Sequence, residues 1–262
     1  MGEHANIQVT ILVTVLTLAI LGGIFYNRWL SGRGRSLFIR RIPGLSALDE
    51  AVGRATEMGR PVLFVPGIGG LDIVSLQALA ILNHITRVAA KYGSRIIVPT
   101  ADSVVFTLAE EVSREAFAAE DAADRYDPDD VRYLSDNQFA YASGVVGILN
   151  REKVASACYF GSFYAESLIL AETGHQVGAV QVAGTPSTTQ IPFFLAACDY
   201  TIIGDEFYAA SAYLSREPTL LGSLVGQDVA KAIIILIVLV GVILATAFGS
   251  HSGHLRDLLG VL

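Results

Sequence analysis

Apolar positions fall into three regimes along the chain. Residues 7–26 hold no charged side chain, and residues 232–249 form a second uncharged run rich in Ile, Leu and Val. About 20 apolar residues in a helix cross the hydrocarbon core of a bilayer, so each run predicts a transmembrane helix. Between them, short apolar runs alternate with stretches of helical periodicity.

The runs predict strands at 61–66, 95–99, 131–134, 154–160, 179–183 and 200–203. The periodic stretches predict helices at 46–58, 71–92, 103–124, 137–150, 163–173 and 205–214. In the second of these, Leu71, Val74, Ala78, Leu82, Ile85, Val88 and Ala89 share a face. Lys91 stands in its last turn and Gly93 just beyond, which is a stop signal. Pro186 fits the first position of a further helix, with Thr185 as its N-cap. Six strands alternating with helices predict an α/β fold: a Rossmann-like, mostly parallel sheet with helices on both faces, flanked by two transmembrane helices. The expected organisation is a first span over 1–27, a basic linker over 28–45, a cytoplasmic α/β domain over 46–228, a second span over 229–250 and a short tail over 251–262.

Charge gives the spans a direction. Arg28, Arg33, Arg35, Arg40 and Arg41 follow the first span, with no acid before Asp49. Basic residues stay on the cytoplasmic side, so the middle of the chain is expected in the cytoplasm and both termini outside the cell membrane. A cleaved signal peptide fits poorly, because residues 1–6 offer no Lys or Arg. Thr10, Thr14 and Thr17 share one face of the first span, and Gly241, Ala245 and Gly249 form a small-xxx-small row on the second. Such rows let helices pair, within one subunit or between copies.

Composition narrows the function. Of 262 residues, 52% are hydrophobic and 16% charged, and the net charge is −7. An acidic chain is not a candidate for binding nucleic acid. Two cysteines, Cys158 and Cys198, make no disulfide framework and no metal motif. Both lie in apolar segments and read as core residues.

In a parallel α/β sheet, ligands bind beyond the carboxyl ends of the strands. There the chain places Gly67, Gly69 and Gly70, with Ser162 and Thr185 at later strand ends. Glycines let a ligand approach a helix N-terminus, as in dinucleotide folds. The third fingerprint position, however, is Asp72, and no Gly-Lys-Ser/Thr follows. A tight strand-to-helix turn also accounts for these glycines. Asp102, Asp136, Glu166 and Glu206 gather at the same edge, where carboxylates suit a divalent cation. Asp72, Asp102, Asp136 and Asp205 equally suit N-caps. His84 lies inside a helix and His175 at the opposite edge, and Ser162 lacks the Gly-x-Ser-x-Gly elbow, so a Ser-His or Cys-His hydrolase is not expected.

Arg60, Arg95, Arg132, Arg151 and Lys153 precede strands and Lys91 ends a helix, which predicts a basic amino-terminal edge against an acidic carboxyl edge. Opposed patches can stack copies head to tail, or the basic edge can face anionic lipid. Residues 110–130 carry nine acids and two arginines, which reads as a solvated face or as a docking surface for a basic partner.

The stretches VPGIGGLD, SDNQFAYA, YFGSFYAESLILAETG, QVAGT and FFLAACDYTIIGDEFYAASAYLSREPTLLGSLVGQD together resemble a prokaryotic membrane-protein family, a domain of unknown function (DUF6754). The similarity runs from about Pro43 into the second span. It implies membrane location and a shared fold, and brings no reaction, cofactor or catalytic residue. The expectation is a membrane-anchored assembly protein that forms homo-oligomers through heterologous contacts, with the bilayer and other membrane subunits as partners. The alternative is a small-molecule or nucleotide-binding module or enzyme that uses the Gly67–Gly70 loop, with or without a divalent cation.

Overall fold

The computed structural model describes residues 14, 17–18, 21–23, 25–26, 43–215 and 218–247. Thr10, Arg33, Arg35, Arg40, Arg41 and Gly249 therefore lie outside the described residues. The chain divides into two units, Ile39–Ser215 and the combination of Met1–Phe38 with Arg216–Leu262.

The first unit alternates helix and strand throughout. In order it contains α1 (Pro43–Met58), β1 (Val62–Gly67), α2 (Ile73–Tyr92), β2 (Ile96–Thr100), α3 (Ser103–Ala119), β3 (Val131–Tyr133) and α4 (Gln138–Glu152). There follow β4 (Ser156–Ser162), α5 (Glu166–Gln176), β5 (Val180–Thr185), α6 (Ile191–Ala197), β6 (Tyr200–Ile203) and α7 (Glu206–Ser215). All strand pairs are parallel. The strand order is β3-β2-β1-β4-β5-β6. This is the doubly wound order of Rossmann-like folds, and its switch point falls between β1 and β4.

Buried strands of a parallel sheet need apolar side chains on both faces. The two-residue period of β1 sends Val62 and Phe64 into the core under α1, α2, α3 and α7. Leu63 and Val65 enter the opposite core, under α4, α5 and α6. Phe64 stacks on Phe160 of β4 with ring centroids 6.1 Å apart. Gly93 ends α2 in the left-handed region at φ 75°, where a Cβ is disfavoured.

Several boundaries differ from the sequence pattern. The helix expected to reach 124 ends at Ala119, and two short 3-10 turns, Ala123–Arg125 and Pro128–Asp130, complete the connection. Strand β4 continues two residues beyond 160, which puts Ser162 on the sheet. Thr185 is not an N-cap. It ends β5, and the next helix starts at Ile191 with Pro192 in its first turn. Two prolines compete for one helix start there, and the backbone turns first: Gln190 N–H donates to the Ser187 carbonyl.

One helix among the described residues is long and apolar enough to cross a membrane, and it is α2, half buried against the sheet. Its apolarity is that of a core helix. In the second unit, α8 (Pro218–Ala247) runs for 30 residues and covers residues 229–247 of the predicted second span. Its described apolar stretch is Ala230–Ile243, and side chains from Ile234 to Val240 are exposed all round the helix.

Candidate functional site

Backbone packs closely at the switch point. Gly67 ends β1 at φ +86°, and a Cβ there would stand 2.2 Å from the Ser162 carbonyl oxygen. Gly161 on β4 has φ +150°, and its Cβ would stand 1.9 Å from the Pro66 carbonyl oxygen. Only glycine fits either position. The register slips between Val65 and Gly67, so Gly67 lies opposite Ser162. Beyond the slip, Ile68 N–H donates to the Ser162 carbonyl at 2.9 Å. The pairing thus runs one residue past the end of β1 at the carboxyl edge of the sheet.

The glycine loop then folds against the chain's own side chains. A Cβ on Gly69 would meet Ser162 Cβ at 3.1 Å and Ser75 Oγ at 3.4 Å. Ser75 Oγ donates to the Gly70 carbonyl at 2.7 Å, and Ser75 N–H donates to Asp72 Oδ1 at 2.7 Å. Asp72 therefore puts a carboxylate at the α2 N-terminus, where a bound phosphate would need the same amides.

The neighbouring helices repeat the device. Asp102 Oδ1 accepts from the amides of Val104 and Val105, both at 2.9 Å. Asn137 Oδ1 accepts from Phe139 and Ala140 at 3.1 and 3.2 Å. Asn137, and not the expected Asp136, is thus the cap of α4, and Asp136 is exposed beside it. Glu166 is fully buried at the start of α5. Its Oε1 accepts from Tyr164 N–H at 2.8 Å and its Oε2 from Gln138 Nε2 at 2.6 Å. That pair ties the loop after β4 to α4 across the sheet edge.

Of the expected ligand residues, Gly67, Gly69 and Ser162 are brought together, and Gly70 lies beside them. Thr185, on the next strand, is buried, and its hydroxyl accepts from Ser187 N–H at 3.3 Å. The expected metal residues are not gathered. Asp102, Asp136, Glu166 and Glu206 follow four different strands, and among the described residues no three His, Cys, Asp or Glu side chains cluster to hold a metal ion. Gln138, Ser75 and Gly161 are the site residues that periodicity passes over. Their signal is small: an amide and a hydroxyl in first helical turns, and a glycine inside a strand.

The opposite edge corrects a charge expectation. It is not a basic face, because the acidic connection between α3 and β3 lies on it. Arg95 pairs with Asp130 at 2.6 Å and with Glu152 at 3.0 Å. Arg132 reaches Glu152 at 3.4 Å, and Arg87 pairs with Glu120 at 2.7 Å. Burial pushes the Asp130 carboxyl above its ordinary range, against the pull of Arg95. A groove of about 590 Å³ runs along α2 between α3 and α7, lined about equally by apolar side chains such as Leu76, Leu79 and Leu214 and by polar or charged ones such as Arg87, Lys91 and Glu120. It lies on the helical layer, away from the switch point.

Burial pushes the thiols of both Cys158 and Cys198 up to about 12. Tyr141 is fully buried, donates to the Pro99 carbonyl at 3.1 Å, and is held protonated by burial.

The fold defines a Rossmann-like α/β unit in which the chain's own side chains cap the N-termini of α2, α3 and α4. Residues 3–255 match the model of the family described as a domain of unknown function (DUF6754), and the chain belongs to that family. No curated protein matches the chain.

Proposed function

We propose that the protein is a membrane-anchored assembly protein that holds copies of itself together and carries out no catalysis. One observation carries this reading. The first-turn amides of α2, α3 and α4, where a Rossmann-like sheet would receive an anionic ligand, are already taken by Asp72, Asp102 and Asn137. Introducing a phosphate at α2 would place it against the Asp72 carboxylate. The exposed apolar side chains of α8 support an anchor, since a helix apolar all round belongs in lipid or against other helices. In this reading residues 7–26 and 232–249 span the cell membrane. The α/β unit is cytoplasmic and the termini lie outside.

The second reading, a nucleotide or small-molecule site at Gly67–Gly70, is favoured by the strand order alone. Native mass spectrometry of the chain extracted in mild detergent separates the two. A discrete homo-oligomer free of added mass supports assembly. A monomer carrying a small-molecule mass overturns it, and Gly69→Asp should then abolish that added mass while leaving the unit folded.

A further inference from the structure

The carboxyl edge has a second feature besides its capped helices. Leu71, Ile73, Val104, Phe139, Tyr164 and Ile203 stand in its loops, first helical turns and strand ends, with exposures from 47% for Ile203 to 66% for Phe139. Parallel strands lie about 4.8 Å apart, so these side chains, which stand at the ends of five of the six strands, spread over an edge about 24 Å long. Single exposed apolar residues are ordinary, but a row along one edge marks a contact surface.

The charge of this edge limits what can cover it. The segments that follow the strands, 68–72, 101–102, 134–137, 163–165, 186–190 and 204–205, contain Asp72, Asp102, Asp136 and Asp205 and no Lys, Arg or His. Two such edges face to face would oppose acid to acid. A complementary partner must bring cations interleaved with apolar side chains. The chain's own sequence contains such a stretch. Residues 28–41 hold Arg28, Arg33, Arg35, Arg40 and Arg41 with Trp29, Leu37 and Phe38, and no acid.

We propose that the carboxyl edge docks the arginine-rich segment 28–41 of a second copy. The contact joins two different surfaces, so it is heterologous and can propagate or close into a ring. It rests on the assembly reading and names the surface through which assembly works.

Cross-linking tests it. Two differently tagged full-length chains are co-expressed, one with Arg35→Cys and the other with Phe139→Cys, and membranes are oxidised. A product bearing both tags is intermolecular by construction. Pairing Arg35→Cys with Arg151→Cys, exposed on the opposite edge, is the control, and chains without new cysteines set the background. The two-tag product should form from the first pair and be lost in the control pair. Equal yields from both pairs, or no product from the first, overturn the proposal. Native mass of the same particles separates the failures. An oligomer without edge-selective product removes only this contact, and a monomer removes the assembly reading as well.

Discussion

Gly67 and Gly161 lie on the two strands of the β1–β4 seam, and each would drive a Cβ into a carbonyl oxygen of the other strand. Strained backbone of this kind costs about 1–3 kcal/mol per residue, and the steric clash adds to it. Gly67→Ala and Gly161→Ala should therefore lower the thermal midpoint more than Gly59→Ala. Gly59 also has positive φ but has nothing within 4 Å of its added Cβ. Thermal unfolding of the three variants checks the order. Glu166 makes a second residue-scale prediction. Glu166→Gln keeps the shape but turns one acceptor into a donor, against either Tyr164 N–H or Gln138 Nε2. An unsatisfied buried donor costs about 1–3 kcal/mol, which urea titration should reveal. Cys158 and Cys198 should resist maleimide at pH 8 while the chain is folded and react on unfolding, because burial holds both as thiols. Mass analysis of labelled protein with and without urea reads this directly.

At the scale of elements, the caps decide the character of the carboxyl edge. Asp72→Ala and Asp102→Ala should each destabilise by about 1 kcal/mol, measured by thermal or urea midpoints. The Arg95–Asp130 pair sets a pH dependence. The guanidinium keeps its proton throughout, so the carboxyl group is the one that titrates. Burial raises its folded value above the unfolded one, and the folded state then binds the proton more readily. Its contribution to stability falls as pH rises through the carboxylate range. The stability of the natural chain relative to Asp130→Asn should accordingly decline between acid and neutral pH in parallel urea titrations.

Element identity was legible in the sequence because each signal is local. The PVLFVP run, the 3.6-residue period of 71–92 and the Gly93 stop each act over a few residues. Asp72 and Asp102 were legible as caps for the same reason. The misplaced cap at Thr185, the extra length of β4 and the choice of Asn137 over Asp136 depend on where the chain meets other strands. That information comes from pairing between distant segments. The basic edge failed in the same way: Arg95 and Asp130 are 35 positions apart, and only the fold places their charges together.

For the molecule as a whole, the class of fold was readable from alternation, but the strand order was not, and the order is what sets Gly67 against Ser162. The same order has a consequence for synthesis. One side of β1 finds its partner in β2 soon after translation. The other side waits for β4, about ninety residues later, since Val62 pairs with Ser156. At roughly 5–20 residues per second the ribosome needs about 5–20 s to deliver it. For that interval the nascent chain presents an open, apolar strand edge of the kind that recruits other chains. Ribosome-stalled chains ending near residue 150 should bind chaperone or aggregate, and chains long enough to expose β4, β5 and β6 should not. The β1–β4 seam thus also sets how long one edge of β1 stays open in the growing chain.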